Sequence, residues 1–304
     1  MSSPPVLEAH QARLASDAGL RAPALSFESV GDRVVLAGDA ALLVGALTSV
    51  PFAELNDDDA APSVARIVSG TVSVLGKDVA RGEHREVLGM MPATLAMPDD
   101  MTGLELLRWV ARLATGTRRG SKALAEAALQ RLGLGPLAKR RIASLGVAER
   151  KGLTLAAAIL GEPPALLLDH PLHGLDEEGR AWMMRALGEL AGRHRLLIAL
   201  PRLATDGALG AIVGAASDIV VLRNGAVVAQ GTPRALLADA RSFSLTVQEG
   251  AEALGERLES MGAELVGGPT HFTVRLEPSL GPREILRAAH ETGAVVVACV
   301  PLVG

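Results

Sequence analysis

The sequence predicts an α/β chain in two parts: a large domain built on a buried parallel sheet, then a small α+β module. Three observations carry this. Ala165-Leu166-Leu167-Leu168-Asp169 and Arg195-Leu196-Leu197-Ile198-Ala199-Leu200-Pro201 are apolar runs of strand length, with helical patterns between and after them. Such runs read as parallel strands buried on both faces. Asp218 to Gly231 reads as a hairpin turning at Asn224-Gly225, a type I′ signal. From Arg241 the pattern becomes strand, helix, strand, strand, helix, strand. The expected division is a flexible tail over 1–23, the large domain over 24–240 and the small module over 241–304.

The 304 residues, 49% apolar, can fill a sizeable core, which excludes general disorder. A net charge of −4 leaves no basic footprint for nucleic acid. The lone Cys299 excludes an internal disulfide framework and fits a reducing cytoplasm. Met1-Ser2-Ser3-Pro4-Pro5 has no charged or apolar leader. The longest apolar tract, Leu196 to Ala216, is broken by Pro201, Arg202 and Asp206, so no direct membrane insertion is expected.

In chain order, residues 1–23 read as a tail with one helix over Val6 to Ala18. Leu25–Val30 and Arg33–Leu36 read as strands, with Gly31-Asp32 as a hairpin turn between them. Asp39 to Leu47 reads as a loop-to-helix connection with an apolar face. Asn56-Asp57-Asp58-Asp59 marks an acidic, solvated insertion over 51–62. Ser69 to Asp78 alternates as a strand should. Thr102 and Glu105 form a capping box before a helix whose apolar face carries Trp109 and Leu113, with Trp109 read as core. Lys122 to Leu134, Arg150 to Leu160 and Glu177 to Leu190 read as helices. Thr232-Pro233 caps the last helix of the large domain. The closing module has strands Phe243–Val247, Ala263–Val266, Phe272–Leu276 and Ala294–Val300, with helices Ala251–Met261 and Pro282–Glu291. That is the βαββαβ order of a ferredoxin-like module.

Asp169 ends its strand where open α/β sheets bind ligands. The stretch Ala165-Leu166-Leu167-Leu168-Asp169-His170-Pro171-Leu172-His173-Gly174-Leu175-Asp176 resembles the Walker B and D-loop segment of the ATP-binding subunits of ABC transporters. The hairpin over 218–231 resembles the end of the same domain. The C-terminal module is similar to the one on ABC-2-type export ATPases. The resemblance spans residues 25–240 and implies a P-loop NTPase-like ABC ATPase domain with a helical subdomain. It also implies an ATP and Mg²⁺ site, a membrane subunit as partner and a second ATP-binding subunit as mate.

The chemical positions depart from that pattern. A phosphate loop needs Gly-x-x-x-x-Gly-Lys-Ser/Thr, for backbone N–H groups around phosphate and an ammonium beside it. Starting the pattern at Gly38 places Leu43, Val44 and Gly45 at Gly, Lys and Ser. Starting from Gly45 as second glycine places Ala46 at Lys. Ala93 stands at the Q-loop glutamine, and Gly146, Val147, Ala148 and Glu149 at the last four signature positions. A carboxylate at Glu149 is expected to repel phosphate. His170 stands at the catalytic glutamate and Pro201 at the H-loop histidine. The expectation is a pseudo-ATPase: no enzyme, no resident metal, and ATP with Mg²⁺ held weakly or not at all. It would serve as a structural or assembly subunit of an ABC-2-type export or motility-type complex. It would be cytoplasmic, peripheral through a membrane partner, and paired as a homo- or heterodimer. Two alternatives are a weak ATP-binding subunit paired with an active one, and a metal protein using Asp169, His170, His173 and Asp176.

Overall fold

A computed structural model describes residues 4–50, 63–94, 96–115, 117–238, 242–268, 270–277 and 280–302. The acidic insertion over 51–62 lies outside the described residues. The chain opens with β1 (Leu7–Ser16), β2 (Leu25–Glu28), β3 (Arg33–Gly38), α1 (Ala41–Thr48), β4 (Ala65–Val74), β5 (Lys77–Asp78) and β6 (Leu88–Met91). A helical segment follows: α2 (Gly103–Thr115), α3 (Ser121–Arg131) and α4 (Val147–Ala158). Then come β7 (Ala165–Asp169), α5 (Glu177–Leu190), β8 (Arg195–Leu200), α6 (Gly207–Gly214), β9 (Asp218–Arg223), β10 (Ala226–Gly231) and α7 (Pro233–Ala238).

These elements make two sheets. The central one has the order β10-β9-β3-β8-β7-β6 and is parallel except for the β10 hairpin strand. Its strands are apolar on both faces, and the alternation splits them between two cores. Val35, Ala37, Leu166 and Leu168 pack with the helices, whereas Val34, Leu36, Ala165 and Leu167 pack toward α1 and the second sheet. The second sheet, β2-β1-β4-β5, is antiparallel. Asn224 (φ 50°) and Gly225 (φ 72°) supply the two left-handed residues that the β9–β10 turn requires.

The third sheet belongs to the C-terminal module: β11 (Ser242–Glu249), α8 (Ala251–Ser260), β12 (Glu264–Gly267), β13 (His271–Arg275), α9 (Pro282–Thr292) and β14 (Val295–Leu302). It is antiparallel, in the order β12-β13-β11-β14. Leu245, Val274, Leu254 and Ile285 lie in its own hydrophobic core.

Three expectations are corrected. Residues 7–16 are neither tail nor helix: they form β1, paired on both sides. The buried positions are Leu7, Ala9, Ala12, Leu14 and Ser16, and the alternation slips one step at a bulge where Gln11 takes φ 47°. That slip hides the period of two and imitates a helical spacing. Next, Gly31-Asp32 is not a hairpin turn. β2 pairs with β1, whereas β3 lies between β8 and β9 in the other sheet, so the link crosses between sheets. Last, Trp109 is not core, at 48% exposed, and Leu113, read on the same apolar face, is 66% exposed. α2 buries the Leu107 and Ala111 stripe, and positions two residues on lie on the far side of the helix. The capping box itself is present: Thr102 N–H donates to Glu105 Oε2 at 2.8 Å, and Glu105 N–H donates to Thr102 Oγ1 at 3.3 Å.

Candidate functional site

Asp169 leaves β7 at the carboxyl edge of the central sheet, and both its oxygens meet protein donors. Ala93 N–H donates to Oδ2 at 3.2 Å, and His170 Nδ1 lies 2.6 Å from Oδ1. The short contact places a proton on Nδ1. His170 takes a left-handed φ of 47° and anchors its own N–H on Ala199 O at 3.1 Å, tying the end of β7 to β8. Both side chains are only 15% exposed.

A lysine that the sequence reading did not single out completes the cluster. Lys151 sits on α4, is 8% exposed, and donates to Ala93 O at 3.3 Å and His170 O at 3.1 Å. Burial pushes its ammonium below the usual 10.5, and the Asp169 carboxylate partly opposes that. The available signal was weak: Lys151 follows Glu149 and Arg150 in a charged run, and only its place four residues before Leu155, on the buried face, sets it apart. Lys151 thus joins three positions distant in sequence: the segment after β6, the end of β7 and α4.

The connection from β3 to α1 is two residues, Asp39 and Ala40. Gly38 needs its missing side chain, because φ is 90° and a Cβ would stand 2.2 Å from Leu222 O. Asp39 accepts from Asn224 N–H at 2.7 Å, which pins the turn to the β9–β10 hairpin. Leu43, Val44 and Gly45 are wound into α1 and buried, with Leu43 and Val44 facing the core.

Gly146 starts α4, and Val147, Ala148 and Glu149 form its first turn, so this helix begins three residues before the predicted Arg150. Gly146 N–H donates to Glu149 Oε2 at 3.0 Å, while the other oxygen of Glu149 pairs with Arg140. The expected repulsive field is therefore corrected: Arg140 offsets the carboxylate. Pro201 follows β8 directly and lines a cavity of about 430 Å³ with His170 and His173.

The metal reading does not assemble. Asp176 caps α5 by accepting from Gly179 N–H at 2.8 Å, and His173 is exposed. Among the described residues, no group of three or more His, Cys, Asp or Glu side chains is placed to hold a metal ion. His271, by contrast, bonds to Thr246 Oγ1 at 2.9 Å on the C-terminal sheet, away from this site.

A six-stranded, mainly parallel sheet with a carboxylate at the end of β7 and a helical segment between β6 and β7 is the α/β architecture of ABC ATPase domains. Residues 63–173 match the family described as ABC transporter. Over 182 residues the chain is 30% identical to the probable multidrug ABC transporter ATP-binding protein YbhF of Escherichia coli (strain K12), covering 59% of this chain and 30% of that protein. It is 33% identical over 163 residues to the zinc import ATP-binding protein ZnuC of Cereibacter sphaeroides, covering 49% and 65%. The chain thus spans less than two thirds of the length of either relative. The Nod factor export ATP-binding protein I of Burkholderia lata is 26% identical over 73% of this chain and 76% of its own length. Among solved structures, an ATP-binding subunit of an ABC transporter superposes with a TM-score of 0.58 at 19% identity, covering 75% of this chain and 90% of that one. That likeness concerns the fold alone.

Proposed function

We propose that this chain is an ABC-type subunit that does not hydrolyse ATP and serves as a structural or assembly partner in a membrane-associated export complex. One observation carries the reading: Asp169, the carboxylate that would face Mg²⁺, already has a protein donor on each oxygen. A metal ion would have to displace the Ala93 amide or the His170 ring. The two-residue turn before α1 supports the same reading, because phosphate recognition needs several consecutive N–H groups and a cation. Losing a preorganised cation and general base removes orders of magnitude in rate. The Walker-side and signature-side positions both depart from the pattern, so a mate with an intact domain would gain no complete site by pairing with this chain. The likeness to the Nod factor export protein supports an export setting at the cytoplasmic face, reached through a membrane subunit. No helix among the described residues is long and apolar enough to cross a membrane.

Calorimetric titration of the full chain with Mg-ATP tests this. The expected result is no saturable heat up to millimolar nucleotide, with phosphate release at the level of the blank. Micromolar affinity, or turnover lost on Asp169→Asn, would overturn it.

A further inference from the structure

We propose that the cavity between the ends of β7 and β8 binds a small organic anion with an apolar body, held by Arg180 and Arg202. The cavity measures about 430 Å³ and is framed by the D-loop-like turn on one side and the start of α6 on the other. That is the size of small-molecule sites in general, which run from roughly 300 to 1,000 Å³. Its lining includes Arg180, Arg202 and His173, all exposed at its mouth, against a single carboxylate, Asp206. Among the described residues, neither Arg180 nor Arg202 has an ion-pair or hydrogen-bond partner for its guanidinium, and neither does the Asp206 side chain have one. Two unpaired arginines lining one cavity suit a carboxylate or a phosphate ester, which guanidinium groups grip bidentately. Leu200 and Leu209 in the wall favour an apolar body, and Asp206 favours a ligand that also carries a hydroxyl or amino donor.

No residue of the β3–α1 turn lines the cavity; His170 and Pro201, at the catalytic-glutamate and H-loop positions, form its inner end, and Arg180, Arg202 and Asp206 lie on the D-loop and α6 side.

The test is calorimetric titration of the full chain with 4-hydroxybenzoate and with phenyl phosphate, beside inorganic phosphate. The expected result is saturable one-site binding of at least one aromatic probe, at least ten-fold tighter than inorganic phosphate. The better probe identifies the anion as carboxylate or phosphate ester. Arg180→Gln with Arg202→Gln should weaken binding at least ten-fold with an unchanged circular dichroism spectrum, whereas Lys122→Gln on exposed α3 should leave it intact. The pair Arg180→Lys and Arg202→Lys should give intermediate affinity, since charge stays while the fork is lost. Absence of saturable binding, equal binding of inorganic phosphate, or equal loss with Lys122→Gln would each overturn the proposal.

Discussion

Lys151 is the residue on which three segments converge. Lys151→Met would leave Ala93 O and His170 O without their donor in a mostly buried site. Lost hydrogen bonds with the acceptors left behind cost about 1–3 kcal/mol, and urea denaturation should show a lower midpoint of that size. His84 gives a pH prediction. It is 1% exposed, its Nε2 lies 2.8 Å from Leu47 O, and its Nδ1 has no partner. Burial lowers its proton affinity below the ordinary 6.5, partly opposed by the Leu47 carbonyl. As pH falls below 6.5 the unfolded chain takes up a proton that the folded ring refuses. Stability therefore declines with falling pH through that window, by at most about 1.4 kcal/mol per pH unit from this group. Denaturation midpoints at pH 7.5 and 5.5 should converge in His84→Asn. Neither residue was legible beforehand. His84 reads as a polar residue among charges, and the partners of Lys151 are backbone carbonyls, which leave no mark in a sequence.

At the scale of elements, strands buried on both faces announced themselves and amphipathic ones did not always. β7 and β8 match their predicted runs because an unbroken aliphatic stretch has no face to mistake. β1 was hidden by one inserted residue. α2 was read with its stripe misplaced: periodicity gives an apolar face, but Trp109 and Leu113 make a second row that no described element covers. Trp109→Ala should therefore change stability by under about 0.5 kcal/mol, while Leu107→Ala costs about 2–5 kcal/mol. Thermal unfolding of the two variants separates these outcomes. At the β3–α1 turn, Gly38→Ala meets both an unfavourable φ and the Leu222 carbonyl, and should destabilise by about 1–3 kcal/mol or more. Gly133→Ala is the control: its φ of 69° strains a side chain as well, but a Cβ there meets nothing within 4 Å. The excess loss at Gly38 measures the carbonyl contact.

For the whole molecule, the order of strands and helices was readable because connections alternate regularly and turn residues sit at the joints. The assignment of strands to sheets was not, since crossing from β2 to β3 depends on contacts made far along the chain. The strands of the C-terminal sheet pair only with one another and enclose a core of their own, which predicts that a fragment ending at Ala238 keeps its fold. Circular dichroism and cooperative melting of that fragment would check it; a non-cooperative trace would refute independence. The packing of α1 limits what one substitution can do there. Val44, the residue that the phosphate-loop pattern started at Gly38 aligns with its lysine, is 4% exposed inside a hydrocarbon cluster. Val44→Lys should lose several kcal/mol and gain no nucleotide affinity, because the cation would be entombed before it met any phosphate. Set in hydrocarbon on a helix already closed by its own backbone hydrogen bonds, that position admits no charge by a single change.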